Sequence, residues 1–233
     1  DFGIFGTAAA LVYAHAFFPA LGTYAGTVVA FATLGVAFVA RPFGSILFGH
    51  FGDRLGRKRT LISTMCLMGT ATVIIGLLPT AATAGVVAPI LLIVLRIAQG
   101  LAAGGEWAGA ALFTSENAPS ESRGFWSMFP SLGGGGAIIL ANATFFAAAI
   151  GMSDDTFVAW GWRIPFLASI FLIAVGLWVR LSIDETPVFA NQVKQHGTAR
   201  TPFLDAFKSQ PWQVLRATGT AAMTLSLTYI GGT

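Results

Sequence analysis

Six apolar stretches follow one another along the chain, at Phe2 to Phe18, Ala25 to Phe48, Leu61 to Leu78, Val87 to Phe113, Phe125 to Ile150 and Ile164 to Leu181. Each is long enough, at about 1.5 Å of rise per residue, to cross roughly 30 Å of hydrocarbon as a helix. A seventh begins near Val214. Between them lie short polar connections carrying turn residues, such as Pro19 with Leu21-Gly22, Pro79 with Thr80, and Gly151 to Asp155. This alternation predicts an all-α, polytopic membrane bundle of six transmembrane helices plus a seventh. The chain divides into a bundle over 1–183, a polar linker over 184–211 that holds Pro187, Gly197, Pro202 and Pro211, and a further helix over 212–233.

Composition agrees with a lipid environment. Hydrophobic residues are 55% and charged residues 10% of 233 positions, and the mean hydropathy is +0.74, unlike an ordinary soluble domain. The net charge of +3 is small and its basic residues cluster between apolar stretches, which argues against nucleic acid as a partner and for the bilayer. A single cysteine, Cys66, excludes an internal disulfide. The chain opens at Asp1 with no initiator methionine, no basic leader and no small-residue cleavage site, so the first apolar stretch reads as a truncated transmembrane helix and not a signal peptide.

Lysine and arginine fix an expected orientation. Arg54, Arg57, Lys58, Arg59, Arg123, Arg180, Lys194, Arg200, Lys208 and Arg216 fall on one set of connections, and Arg163 alone falls on the other. The positive-inside rule then places the first set, the amino terminus and the linker in the cytoplasm, with the protein in the cell's inner (plasma) membrane.

The first of these connections reads Gly49-His50-Phe51-Gly52-Asp53-Arg54-Leu55-Gly56-Arg57-Lys58-Arg59. Its glycines permit a tight turn and close helix approach, its aspartate can cap or face a helix amino terminus, and its arginines can pair with acidic helix ends. Topology alone would explain four basic residues, but not the spaced glycines and the aspartate. The loop matches G-x-x-x-D-R-x-G-R-K-R at every specified position and resembles the loop between helices two and three of the major facilitator superfamily. That resemblance implies half of a twelve-helix fold, a missing carboxy-terminal half of the same chain, and a conformational latch at Gly49, Asp53, Arg54, Gly56, Arg57, Lys58 and Arg59, with Asp53 and Arg57 at its centre.

Helix four carries Arg96-Ile97-Ala98-Gln99-Gly100 and then Gly104-Gly105-Glu106-Trp107. At 100° per residue Arg96, Gln99, Ala103, Glu106 and Ala110 share an arc of about 80°. Ionisable groups at mid-membrane cost at least about 2.5 kcal/mol each, so this arc faces inward, to a water-filled cavity or a buried partner. An arginine there can hold a substrate anion and a desolvated carboxylate can exchange a proton, or both charges can simply satisfy neighbours. Gly100 and Gly104, with Gly105 and Gly109, repeat at four-residue spacing and allow a neighbouring backbone to come close. Asp1 and His15 in helix one and Arg41 in helix two are further candidates for transport or proton coupling; Arg41-Pro42 combines a cation with an expected helix break. His15 also fits a simple interfacial place, near the outer end of its helix.

Helix five contains Ser131-Leu132 and the run Gly133 to Gly136, suited to flexing or close packing. It lacks Gly-x-x-x-Gly-Pro, a pattern that the superfamily's antiporters often show there, which favours symport. Trp160 and Trp162, before helix six, suit anchoring at the headgroup level. Trp160-Gly161-Trp162-Arg163-Ile164-Pro165-Phe166, Asp184-Glu185-Thr186-Pro187, Gly104-Gly105-Glu106-Trp107 and Arg41-Pro42 together resemble the metabolite:proton symporters of the superfamily, whose members carry dicarboxylates and ketoacids, shikimate, and betaine or proline. The resemblance implies a secondary transporter whose partners are a small organic acid or zwitterion and protons. A half-sized protein acting as a dimer and a channel or membrane enzyme are the alternatives; the seventh stretch speaks against the former, and no nucleophile with its base or filter signature supports the latter. No metal or organic cofactor is implied: the histidines are dispersed, and there is no Cys-x-x-Cys or phosphate-binding loop.

Overall fold

In the computed structural model, residues 2–183 and 210–231 are described, and all their regular structure is helical. Helix α1 runs through Phe2–Ala8, a π-helical turn at Ala9–Tyr13 and Ala14–Phe17. After a 3₁₀ turn at Pro19–Leu21, α2 spans Gly22–Leu55 and α3 spans Arg57–Leu77. Helix α4 is Val87–Asn117, α5 is Phe129–Ala149 preceded by a short helix at Arg123–Ser127, α6 is Arg163–Ser182, and α7 is Pro211–Gly231. Among the described residues, five segments are long and apolar enough to cross a membrane: Pro19–Leu55, Arg57–Leu77, Val87–Asn117, Arg123–Ala149 and Arg163–Ser182. The apolar part of α1, Gly3–Phe17, is shorter than these five. Most of the linker expected over 184–211, with its Asp184-Glu185-Thr186-Pro187 signature, lies outside the described residues.

The bundle is built around α1. Phe5, Ala8, Ala9, Val12, Tyr13, Ala16 and Phe17 are all buried, a stripe at three- and four-residue spacing that meets helices on several sides. Trp162 and Phe166 of the α6 entry close over its far end, with Trp162 edge-on to Tyr13 at 5.7 Å, to Phe17 at 5.9 Å and to Phe166 at 5.8 Å. Sequence placed both tryptophans at the headgroups. The structure keeps Trp160 exposed at 54% and buries Trp162 completely, because the π-helical turn Phe157–Gly161 turns the second ring under the bundle. Trp162→Ala is expected to destabilise the bundle by roughly 3–5 kcal/mol, whereas Trp160→Ala is expected to be nearly neutral; thermal unfolding in mild detergent distinguishes the two.

The most extensive helix contact is α2 against α4, and glycines make it. A Cβ on Gly44 would overlap the backbone of Leu101, one on Gly100 the carbonyl of Ala37, and one on Gly104 the carbonyl of Arg41. Gly105 packs on the Phe48 side chain and Gly109 on Leu61. Small residues let two backbones touch where hydrophobic burial offers no drive inside lipid. The run Gly133 to Gly136 behaves differently: nothing in the described residues lies against any of the four.

Two local expectations fail. First, α2 does not break at Arg41-Pro42; it runs through Pro42. The Ser45 hydroxyl bridges the carbonyls of Arg41, at 3.1 Å, and Gly104, at 3.0 Å, and the contact with α4 supports the chain where Pro42 withholds its N–H. Second, the motif from Gly49 to Arg59 is not an open loop. Residues up to Leu55 extend α2 and those from Arg57 start α3, so Gly56, at φ +106°, is the whole connection. That backbone region is costly for any residue with a Cβ.

A candidate transport site along helix α4

Helix α4 carries three charged residues, Arg96, Glu106 and Glu116, ten residues and about 15 Å apart along its axis. Each meets a different neighbour. Arg96 is fully buried. Its Nη1 donates to Gln99 Oε1 at 2.7 Å, Gln99 Nε2 donates to Thr72 Oγ1 of α3 at 2.7 Å, and that hydroxyl donates to Met68 O at 2.8 Å. The guanidinium carbon lies 3.7 Å from the centre of the Phe5 ring, a cation–π contact, and Phe5 stands edge-on to Tyr13 at 4.9 Å. The Tyr13 hydroxyl is buried and has no hydrogen-bond partner among the described residues. A buried hydroxyl left without a partner costs about 1–3 kcal/mol.

Glu106 does not join this cluster. Its Oε1 accepts from Arg180 Nη2 of α6 at 2.7 Å, while Arg180 Nη1 donates to Leu61 O of α3 at 2.6 Å. Arg96 and Glu106 therefore share a helical stripe but not a cavity, because one turn of the stripe faces α1 and α3 and the other faces α6. Of the options open to that inward arc, a water-filled cavity or a buried partner, Glu106 meets a partner in Arg180.

At the end of the bundle formed by the Gly49–Arg59 motif, Arg57 Nη1 donates to Asp53 Oδ1 at 2.6 Å, and its Nη2 lies 3.6 Å from Glu116 Oε1. One guanidinium thus ties the last turns of α2 and α4. The next residue reaches the other way, with Lys58 Nζ donating to Leu181 O at 2.9 Å. Arg54 lies 3.4 Å from the His50 ring nitrogen on an exposed face, and Arg59 and Gly49 are likewise at the surface. At the opposite end Arg163 donates to Leu78 O at 3.0 Å and Ala159 O at 2.7 Å, joining α3 to the α6 entry.

Of the remaining candidates, Arg41 lies within electrostatic reach of Arg96. His15 is exposed on α1. Arg41 places its guanidinium carbon 4.4 Å from the Phe38 ring, on α2, and Asp1 lies outside the described residues. Four residues of the site escaped sequence reasoning. Tyr13 and Thr72 carry no charge to mark them, Glu116 sits among polar residues at a helix end, and Arg180 was absorbed into the basic tally of the connections. The mid-hydrophobic placement of Arg180, with Leu181 and Ile183 beyond it, was the available signal.

With this geometry in place, comparison with known proteins is decisive for the family. The family described as "Sugar (and other) transporter" matches residues 1–213. The chain belongs to this transporter family, within the major facilitator superfamily. Among its relatives, the inner membrane metabolite transport protein YhjE of Escherichia coli (strain K12) is 48% identical over 202 residues, covering 87% of this chain and 46% of that protein. The shikimate transporter of the same organism is 45% identical over 218 residues, with 93% and 50% covered. The proline/betaine transporter of Salmonella typhimurium (strain LT2) is 37% identical over 193 residues, with 83% and 38% covered. The chain spans about half the length of the curated relatives it matches. The fold of this sugar (and other) transporter family member resembles the xylose transporter XylE from E. coli in its partially occluded inward-open conformation, with a TM-score of 0.65, 17% identity, and 99% of this chain and 59% of that one covered. The inward-open form gives 0.66 at 19% identity, with 94% and 52% covered.

Proposed function

We propose that the chain forms the amino-terminal half of a secondary transporter that moves a small organic acid or zwitterion across the inner membrane, in symport with protons, by alternating access. The observation that carries this reading is the buried cluster of Arg96, Gln99, Thr72 and Tyr13: a fixed cation, an amide and an unanswered hydroxyl in the middle of a membrane bundle. A planar guanidinium suits a substrate carboxylate, and relatives named for shikimate and for proline and betaine support carboxylated substrates. Uptake into proteoliposomes of the full-length protein tests it: an inward proton gradient is expected to drive accumulation of shikimate or proline, and uptake indifferent to that gradient contradicts symport.

Tyr13→Phe separates binding from folding. Removing an unpartnered hydroxyl is expected to leave the melting temperature equal or higher, while substrate KM rises about tenfold, equivalent to one lost hydrogen bond of ~1.4 kcal/mol. An unchanged KM would remove Tyr13 from the site.

The motif of Gly49 to Arg59 acts in this reading as the latch. Arg57 holds α2 and α4 together through Asp53 and Glu116, with the basic end and the amino terminus in the cytoplasm. Asp53→Asn is expected to weaken transport and shift the balance between inward-open and outward-open states; unchanged uptake kinetics would refute this.

For Glu106, the ion pair with Arg180 favours a second reading, that of a counter-ion. Glu106→Gln abolishes proton-driven accumulation in both readings. In Glu106→Gln/Arg180→Met both partners are neutral, so accumulation returns if Glu106 is only a counter-ion and stays lost if it carries the proton.

A further inference from the structure

A cleft of about 610 Å³ opens between α5 on one side and α3 and α6 on the other, with Ile4 of α1 at its back. Small residues line it, with Ala137, Ala141 and Ala168 presenting little more than a methyl group each, while Gly69 is packed against the Ile173 side chain. Its few polar groups are occupied. Ser169 Oγ donates to Phe166 O at 2.6 Å, Thr144 Oγ1 donates to Ala141 O at 2.8 Å, and Glu106 is held by Arg180. The rest of the lining is apolar, so away from Glu106 the space offers a polar metabolite few directed hydrogen bonds. The rim is continuous with the apolar belt of the spanning helices, since Leu140, Phe171 and Leu172 are exposed at 45%, 73% and 50%. Along α6 the lining runs from Pro165 to Ile173, eight residue steps and about 12 Å. That is most of the depth of one leaflet, half of a hydrocarbon thickness of roughly 30 Å.

We propose that this cleft is a binding site for one acyl chain of a bilayer phospholipid, which enters between α5 and α6 and wedges α5 away from the α3–α6 pair. The cleft holds none of the Arg96, Gln99, Thr72 and Tyr13 side chains and shares Glu106 alone with the groups weighed above for transport. A chain held there sets the spacing of α5, whose own packing against α6 is slighter than that of α3.

The test uses the full-length protein in vesicles of phosphatidylethanolamine and phosphatidylglycerol containing a trace phospholipid with a mid-chain diazirine, followed by photolysis and peptide mapping. Adducts are expected to concentrate on Met65, Met68 and Leu140 over exposed apolar residues away from the cleft, such as Trp178 and Ile74, by about tenfold, the ratio for ~1.4 kcal/mol of preference. Ala168→Trp or Ala137→Phe, which fill the cleft from opposite walls, are expected to abolish that excess while labelling of Trp178 persists. Uniform labelling of all lipid-facing residues, meaning annular contact only, would overturn the proposal, and this comparison stands on the unsubstituted protein even if a filled variant does not fold. Persistence of the excess in both folded variants would also overturn it.

Discussion

Arg96→Lys in the full-length protein is expected to lower kcat/KM for proton-driven uptake about a hundredfold, a loss of ~2.7 kcal/mol at 1.36 kcal/mol per decade. Charge is kept in this variant, so electrostatic steering and helix insertion are little altered. What disappears is the planar fork that reaches Gln99 Oε1 at 2.7 Å and whose carbon sits over the Phe5 ring at 3.7 Å. An ammonium offers no planar surface to the ring and cannot present parallel N–H groups to a carboxylate. Gln99→Leu is expected to reproduce part of the loss, because it frees the Thr72 hydroxyl and the arginine from their shared chain of hydrogen bonds. Counterflow and uptake assays on both variants, beside thermal unfolding to establish that the bundle persists, read this directly. Uptake within twofold of the unsubstituted protein, a difference of only ~0.4 kcal/mol, would separate Arg96 from the transport path.

The second large effect is on assembly. Gly104→Val is expected to abolish the folded bundle or to cost at least about 3 kcal/mol, because its Cβ would enter the Arg41 carbonyl and neither backbone can yield without separating α2 from α4. Yield after membrane extraction and melting temperature measure it. Gly135→Ala is the matched control. No atom lies within 4 Å of a Cβ there, so the change gains helix propensity of up to about 1 kcal/mol and leaves the described bundle stable. A loss of transport in a stable Gly135→Ala protein would then mark the α5 glycine run as a surface needed by a part of the protein beyond the described residues. Near-normal folding of Gly104→Val would contradict the contact between α2 and α4.

Much of this was legible from residue order because the bilayer imposes coarse rules. Hydrocarbon thickness fixes helix length, and the cost of unsatisfied backbone groups leaves only helices and closed barrels to cross it, of which long unbroken apolar runs select helices. The four-residue spacing of Gly100 and Gly104, and of Gly105 and Gly109, therefore announced close packing. The polar details were not legible, for two physical reasons. A helical wheel projects out height, so Arg96 and Glu106 looked like neighbours although about 15 Å of helix separates them and different helices answer each. Hydrogen-bond partners across helices carry no local signature either: Thr72 looks like any hydroxyl in an apolar run, and Trp162 looks like an interface anchor until the π-helical turn before it is seen to rotate the ring inward. The basic motif shows the same divide. Its glycines announced a tight turn without saying which of them makes it, and the capture of Glu116 by Arg57 needed the far end of α4 to arrive beside it.

The central claim is that the Arg96 cluster, closed in this conformation, opens to water during the transport cycle. Thiol accessibility at Thr72 measures this most directly, using Thr72→Cys in a Cys66→Ser background of the full-length protein in proteoliposomes. A membrane-impermeant thiol reagent is expected to modify Cys at this position when the carrier is cycling, with substrate slowing the reaction. Failure to react under any combination of substrate and proton gradient, in a variant that still transports, would contradict it.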